Sequence, residues 1–225
     1  MLTLKDLRKS FGSVTAVDGI SLRIEPGEVF GLLGPNGAGK STTIGMAVGL
    51  IRPDSGSVLL DGVGDPSRPQ ARRALGVAPQ SLAIYDDLTA RENLDFFGRL
   101  YGITGKELKK RVGEVLDRVG LSSRGSDRVG VYSGGMKRRL NLAVAIIHRP
   151  AMLLLDEPTA GVDPQSRNNI LDLVRVLAAS GTTIVYTTAV RPGRHRGSRK
   201  SAGDRFGRIT RGAVWRQERG HDQSG

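Results

Sequence analysis

Nine consecutive residues, Gly34-Pro35-Asn36-Gly37-Ala38-Gly39-Lys40-Ser41-Thr42, have the composition and spacing of a phosphate cradle. Gly34 and Gly39 bracket four residues and are followed by Lys40 and Ser41, which is the P-loop pattern. Glycines let the backbone close around an anion, so that successive N–H groups face phosphate oxygens. The Lys40 ammonium is long enough to reach β- and γ-phosphates, and the Ser41 hydroxyl suits Mg²⁺. A helix opening at this point adds its positive N-terminal dipole. The chemistry implied is binding of a nucleoside triphosphate.

A second group with chemical potential is Asp156-Glu157, directly after the apolar run Met152-Leu153-Leu154-Leu155. A buried strand ending in two carboxylates places them where α/β sheets hold ligands. Asp156 suits Mg²⁺, often through water, because that ion keeps several waters. Glu157, one position on, projects to the other side, toward the place of an attacking water, as a general base. The plainer alternative is a pair of exposed acids at a strand end. A third group, Tyr132-Ser133-Gly134-Gly135-Met136-Lys137-Arg138-Arg139-Leu140, is another glycine turn opening a helix. Ser133 and the glycine amides suit a second phosphate. Taken alone, the turn reads better as a linker or an N-cap.

The elements that must position these residues follow from hydrophobic pattern. Val29 to Leu33 is a short buried strand before the cradle, and Thr43 to Leu50 continues it as an apolar helix. Period-2 alternation in Ile20-Ser21-Leu22-Arg23-Ile24 predicts a half-exposed strand, and Ser57 to Gly62 predicts another after the turn Arg52 to Gly56. From about residue 88 the period becomes helical. Thr89 with Glu92, and Thr104 with Glu107, each have the spacing of a capping box. Asp163 caps a further helix, with Pro164 at its first position and Gly181 beyond its end. Thr182 to Thr187 is a β-branched strand. The pattern predicts a parallel α/β core with a helical insert.

The chain has 225 residues and no cysteine, which excludes disulfides and thiolate metal sites and fits a reducing compartment. The first residues lack the apolar core of a signal peptide, and no run approaches the ~18 apolar residues of a membrane span. The expectation is a soluble or membrane-peripheral protein. Net charge is +12, but residues 191–225 hold ten Arg/Lys against three Asp/Glu. The basic balance therefore describes a tail more than a folded surface, which argues against a nucleic-acid partner. After Thr188 periodicity ends, and the Arg-rich stretch from Arg191 reads as disordered.

Taken in order, the cradle, Gln80, Ser133-Gly134-Gly135, Leu154-Leu155-Asp156-Glu157-Pro158 and Ala160-Gly161-Val162-Asp163 resemble the ATP-binding subunit of an ABC transporter. The form of the second glycine turn is most similar to the multidrug and polysaccharide exporter branch. The resemblance covers residues 2 to about 188. It implies a P-loop NTPase fold with a RecA-like parallel sheet, an N-terminal antiparallel β subdomain and a helical insert at about 82–145. The cassette would occupy 1–190, followed by a basic tail that is disordered or altered by a shifted reading frame.

The resemblance also implies roles. Phe11 would stack on adenine beside Val17. Gln80 would touch Mg²⁺ and couple to a membrane partner, with Ser41 and Asp156 as the other metal-site residues. Ser133, Gly134 and Gly135 would bind the γ-phosphate of ATP held by a second copy, Glu157 would be the general base, and Asp163 would cross the interface. Two ATPs with Mg²⁺ would be sandwiched in a head-to-tail homodimer. The dimer would sit on the cytoplasmic face of a membrane, bound to a separate permease chain, and power export.

One departure stands out. The family has a histidine directly after the strand ending at Thr188, contacting the γ-phosphate; this chain has Ala189. Loss of a transition-state donor of that kind would cost roughly 10²–10³ in rate. His195 lies in a segment without fixed geometry, and His148 and His221 have no better claim. Two alternatives therefore stay open: a nucleotide-binding protein with impaired hydrolysis, and a soluble nucleic-acid-associated ATPase using the basic tail.

Overall fold

The short apolar runs Val29–Gly34, Met152–Leu155 and Thr183–Ala189 are hydrophobic on both faces because they are interior strands of one sheet. This computed structural model describes residues 1–189 and the strand 211–214. In chain order the strands are β1 (Leu2–Phe11), β2 (Val14–Ile24), β3 (Val29–Gly34), β4 (Ser55–Leu60), β5 (Leu75–Ala78), β6 (Met152–Leu155), β7 (Thr183–Ala189) and β8 (Arg211–Val214). The helices are α1 (Lys40–Ala47), α2 (Pro69–Arg72), α3 (Ala90–Leu100), α4 (Gly105–Arg118), α5 (Gly134–Ile146) and α6 (Pro164–Ala179).

Two sheets result. An antiparallel sheet of order β2-β1-β4 forms from the N-terminal region, and a parallel sheet has the order β5-β6-β7-β3-β8. The side chains of β6 alternate between two cores. Leu153 and Leu155 join Tyr186 and the buried faces of α3, α4, α5 and α6. Met152 and Leu154 join Val185, Phe30, Leu32, α1 and the antiparallel sheet. The helical insert thus packs on one face of the parallel sheet and the antiparallel sheet on the other.

Local signals account for most helix ends. Thr89 and Glu92 form the capping box reciprocally, and Asp163 caps α6 by accepting from the Ser166 N–H. Pro164 stands at the first position of α6 and Gly181, at φ 89°, follows its end. The second capping box does not form. Thr104 is the N-cap of α4 without a side-chain cap bond, because the Glu107 carboxylate turns along the helix to Arg111. The tail reading also needs adjustment at one place. Arg211–Val214 is a strand pairing in parallel with β3, so that side of β3 is not an open edge. The rest of 190–225, with His195 and His221, lies outside the described residues.

Candidate functional site

Parallel register brings the chemistry to one end of the sheet. β3 pairs with β7 up to Gly34 beside Ala189, β6 pairs with β7 up to Leu155 beside Tyr186, and β5 pairs with β6 up to Ala78 beside Leu155. The residues just beyond these ends are the cradle, Asp156-Glu157 and Gln80. All three groups therefore emerge at the carboxyl edge.

The cradle is shaped by Gly39. Its φ is 77°, and a Cβ there would lie 2.0 Å from the Ala16 carbonyl oxygen. The loop is thus held against β2, and any side chain at 39 would force it away. Val17 is buried in the core beneath the loop, with its Cγ2 on the Gly39 side. Lys40 is 5 % exposed and donates to the Gly34 and Pro35 carbonyls at 3.0 and 2.8 Å. Those bonds satisfy the buried ammonium. Ser41 is exposed at the helix start, while Gly37 takes φ 80° at the tip. Pro35, Asn36, Ala38 and Thr42 complete the turn.

The carboxylates are held by a residue that the sequence pattern presents only as part of a strand. Thr187 is fully buried; its Oγ1 donates to Asp156 Oδ1 at 2.6 Å and accepts from the Glu157 N–H at 2.9 Å. Glu157 itself has φ 48°, a left-handed conformation that a non-glycine residue keeps only when its surroundings insist. One hydroxyl therefore fixes the Asp156 carboxylate and the strained backbone beside it. The signal available in sequence was a hydroxyl at the end of an apolar strand whose neighbour ends in Asp-Glu.

Glu157 is the meeting point of the site. Its Oε2 accepts from Gln80 Nε2 at 3.2 Å and its Oε1 lies 3.9 Å from Lys40 Nζ. The cradle, Gln80, Asp156 and Glu157 are thus in one constellation. Ser41, Asp156 and Gln80 offer a hydroxyl, a carboxylate and an amide oxygen, hard donors that fit Mg²⁺ completed by waters and phosphates. Among the described residues no group of three or more His, Cys, Asp or Glu forms a metal cage.

Other predicted residues stand apart. Phe11, 52 % exposed at the tip of the β1–β2 hairpin, is not a core aromatic; Lys9 Nζ lies over its ring at 5.5 Å. Ser133 and Gly134 are exposed, and Ser133 caps α5 by accepting from the Met136 N–H at 3.2 Å. Gly135 packs against α6, where a Cβ would meet Ser166 Oγ at 2.1 Å. Asp163 accepts from the Ser166 N–H at 2.9 Å, and Ser166 holds its carboxyl below the usual range. It is an exposed helix cap on that side of the molecule.

His148 is remote from all of this. Its Nε2 lies 3.0 Å from the Leu75 carbonyl oxygen and its ring stacks on Tyr101 at 3.6 Å.

Comparison with known proteins agrees with this geometry. The family described as ABC transporter matches residues 17–160. A linearmycin resistance ATP-binding protein of Bacillus subtilis (strain 168) is 50% identical over 189 residues, 84% of this chain and 61% of that protein. A Nod factor export ATP-binding protein of Paraburkholderia xenovorans (strain LB400) is 47% identical over 183 residues, 81% of this chain and 60% of that one. The chain thus spans about three fifths of the length of these relatives. Among solved structures, a dimeric ATP-binding cassette in a post-hydrolysis state with ADP and Pi has a TM-score of 0.75 at 28% identity. That match covers 84% of this chain and 88% of the cassette.

Proposed function

The chain belongs to the ABC transporter family, and from that premise we propose that it is the ATP-binding and ATP-hydrolysing subunit of a membrane exporter. The observation that carries this reading is the convergence on Glu157 of the cradle lysine, Gln80 and the Thr187 clamp. In this reading the P-loop amides and Lys40 hold the β- and γ-phosphates, and Phe11 offers its open face to the base. Mg²⁺, when bound near Ser41 and Asp156, supplies charge neutralisation for the phosphates. Glu157 takes a proton from the water whose oxygen attacks the γ-phosphorus, and ADP leaves. Ser133 and Gly134 lie exposed while Gly135 packs the turn against α6, which suits a γ-phosphate held by a second copy.

In this reading a permease on another chain carries the cargo path; among the described residues no helix is long and apolar enough to cross a membrane. On the insert, Leu82, Tyr85, Phe96 and Leu100 leave large apolar side chains exposed, with Tyr85 edge-on to Phe96 at 5.3 Å. Such a patch suits docking of that permease at the cytoplasmic face. In this reading the cargo is a drug, lipid or polysaccharide, and relatives named for linearmycin resistance and Nod factor export support an exported compound. ATP turnover of wild type and Glu157→Gln tests the reading: a loss of about 100-fold or more with ATP binding retained is expected. Equal rates would remove Glu157 as the base.

A second reading, binding with impaired turnover, is favoured by Ala189. It stands beside Gly34 at the mouth of the cradle, where a methyl group offers no donor. If this reading holds, Ala189→His raises turnover by roughly 10²-fold. A brisk rate that the substitution leaves unchanged would exclude it. The altered character after Thr188 suits a shifted reading frame; failure of every other frame of the coding DNA to continue the cassette would rule that out.

A further inference from the structure

The run Lys137-Arg138-Arg139 looks in sequence like a solvated basic face, yet its three side chains go to three different places. Lys137 pairs with Asp86 at 2.7 Å, and Arg139 donates to the Val119 and Gly120 carbonyls at 2.8 and 3.0 Å. Arg138 alone of the three turns to the carboxyl edge of the sheet, where its Nη1 donates to the Gln80 carbonyl oxygen. Gln80 in turn donates its amide to Glu157 Oε2 at 3.2 Å.

We propose that Arg138 is a positioning residue that transmits the state of the Ser133–Gly135 turn to Glu157 through Gln80. This rests on the reading of Glu157 as the base and of the turn as a sensor of a second copy's ATP. Ser133 is the N-cap of α5 and Arg138 lies little more than one helical turn further on. A helix moves as a rigid element, so displacement of the turn displaces the guanidinium with it. The loop following β5 is strapped to the same helix a second time. Buried Asn141, three residues after Arg138, donates to the Pro79 carbonyl at 3.2 Å and accepts from the Ala83 N–H at 3.0 Å. The loop that carries Gln80 therefore follows α5, and the Gln80 amide carries that movement to the carboxylate.

Electrostatics favour the same placement. Burial pushes the Arg138 guanidinium down from its ordinary pKa, while the charges of Glu157 and Asp156 pull it up. A partly desolvated cation facing two carboxylates makes a stronger bond to an intervening carbonyl than it would in water.

The test uses the full chain and compares ATP turnover of Arg138→Gln, Gln80→Ala and the double variant. Losing one charge-assisted bond is expected to lower kcat roughly tenfold, with KM for ATP unchanged within about twofold. The double variant is expected to be no slower than Gln80→Ala, because the relay is already cut. Arg138→Lys, which keeps the charge without the fork, recovers part of the loss. An unchanged kcat, or losses that multiply in the double variant, would overturn the relay.

Hydrogen exchange of amides 79–83 provides a readout that needs no turnover. Adding ATP at dimer-forming concentration changes exchange there in wild type, and the change shrinks roughly tenfold in Arg138→Gln. Equal changes in both proteins overturn the relay. Failure of the underlying reading looks different: Glu157→Gln would retain turnover, or ATP would leave wild-type exchange unaltered.

Discussion

The two glycine turns answer the same chemical problem in opposite ways. The cradle at 34–42 is closed on itself: Gly39 fits under the Ala16 carbonyl, and Lys40 is buried with its ammonium satisfied by the loop's own carbonyls. The turn at Ser133–Gly135 is open, with Ser133 and Gly134 exposed and only Gly135 packed, against Ser166. One turn is closed on its own carbonyls; the other leaves Ser133 and Gly134 open to solvent, with the Ser133 hydroxyl accepting from the Met136 N–H. The difference teaches that burial separates two glycine turns even where their composition looks alike.

The largest expected effect comes from breaking the closed turn. Lys40→Ala removes a buried cation from the phosphates and is expected to weaken ATP binding by about 100-fold or more, measured by titration calorimetry. If binding is undiminished, the cradle acts through its backbone alone. Next comes the clamp at the edge between the turns. Thr187→Val keeps the shape but strands the Asp156 carboxylate and the Glu157 N–H, at about 2 kcal/mol of stability. Turnover should fall by roughly 30-fold for the same energy, with ATP affinity nearly intact. Thr187→Ser should restore most of it; a silent Thr187→Val would show that Glu157 holds its left-handed backbone without the hydroxyl.

Ser133→Ala sharpens the comparison at smaller amplitude. In the monomer, ATP affinity should not change, whereas ATP-driven dimerisation followed by sedimentation should weaken about tenfold, the worth of one hydrogen bond to a charged phosphate. A loss of monomer affinity would place the turn in the same site as the cradle. The smallest effect concerns the join between the insert and the parallel sheet. His148 stacks on Tyr101 and bonds to Leu75 O, and burial holds its pKa below the ordinary 6.5. The unfolded chain therefore binds the proton more readily, so stability is full above about pH 6.5 and declines as pH falls through the lowered folded value. Urea denaturation across pH 5 to 8 should show stability falling toward the acid end, and His148→Gln should flatten that fall.

Much of this architecture was legible in local pattern. The cradle, the Asp156-Glu157 pair, the Thr89 capping box and the Asp163-Pro164 helix start depend on neighbours within a few residues, and spacing reports them. The second capping box failed because Glu107 had a competing partner at Arg111, a choice that spacing alone does not make. Phe11 is exposed because it stands at a hairpin tip, a position that follows from the pairing of β1 with β2. Thr187 and Arg138 escaped notice for a common reason. Each acts on a group far along the chain: Thr187 on Asp156 and Glu157, 31 and 30 residues away, and Arg138 on Gln80, 58 residues away.

By itself the sequence determined the ligand class, since the nine-residue cradle sets its own backbone and needs little else to hold a phosphate. It also determined the family and the order of its motifs. Only the tertiary structure decided which residues control the two carboxylates. Strand register puts Thr187 between them and Ala189 beside Gly34, and helix packing brings Arg138 to Gln80. The physical reason is range: a glycine turn is a local backbone property, whereas a positioning hydrogen bond exists only after distant segments have packed.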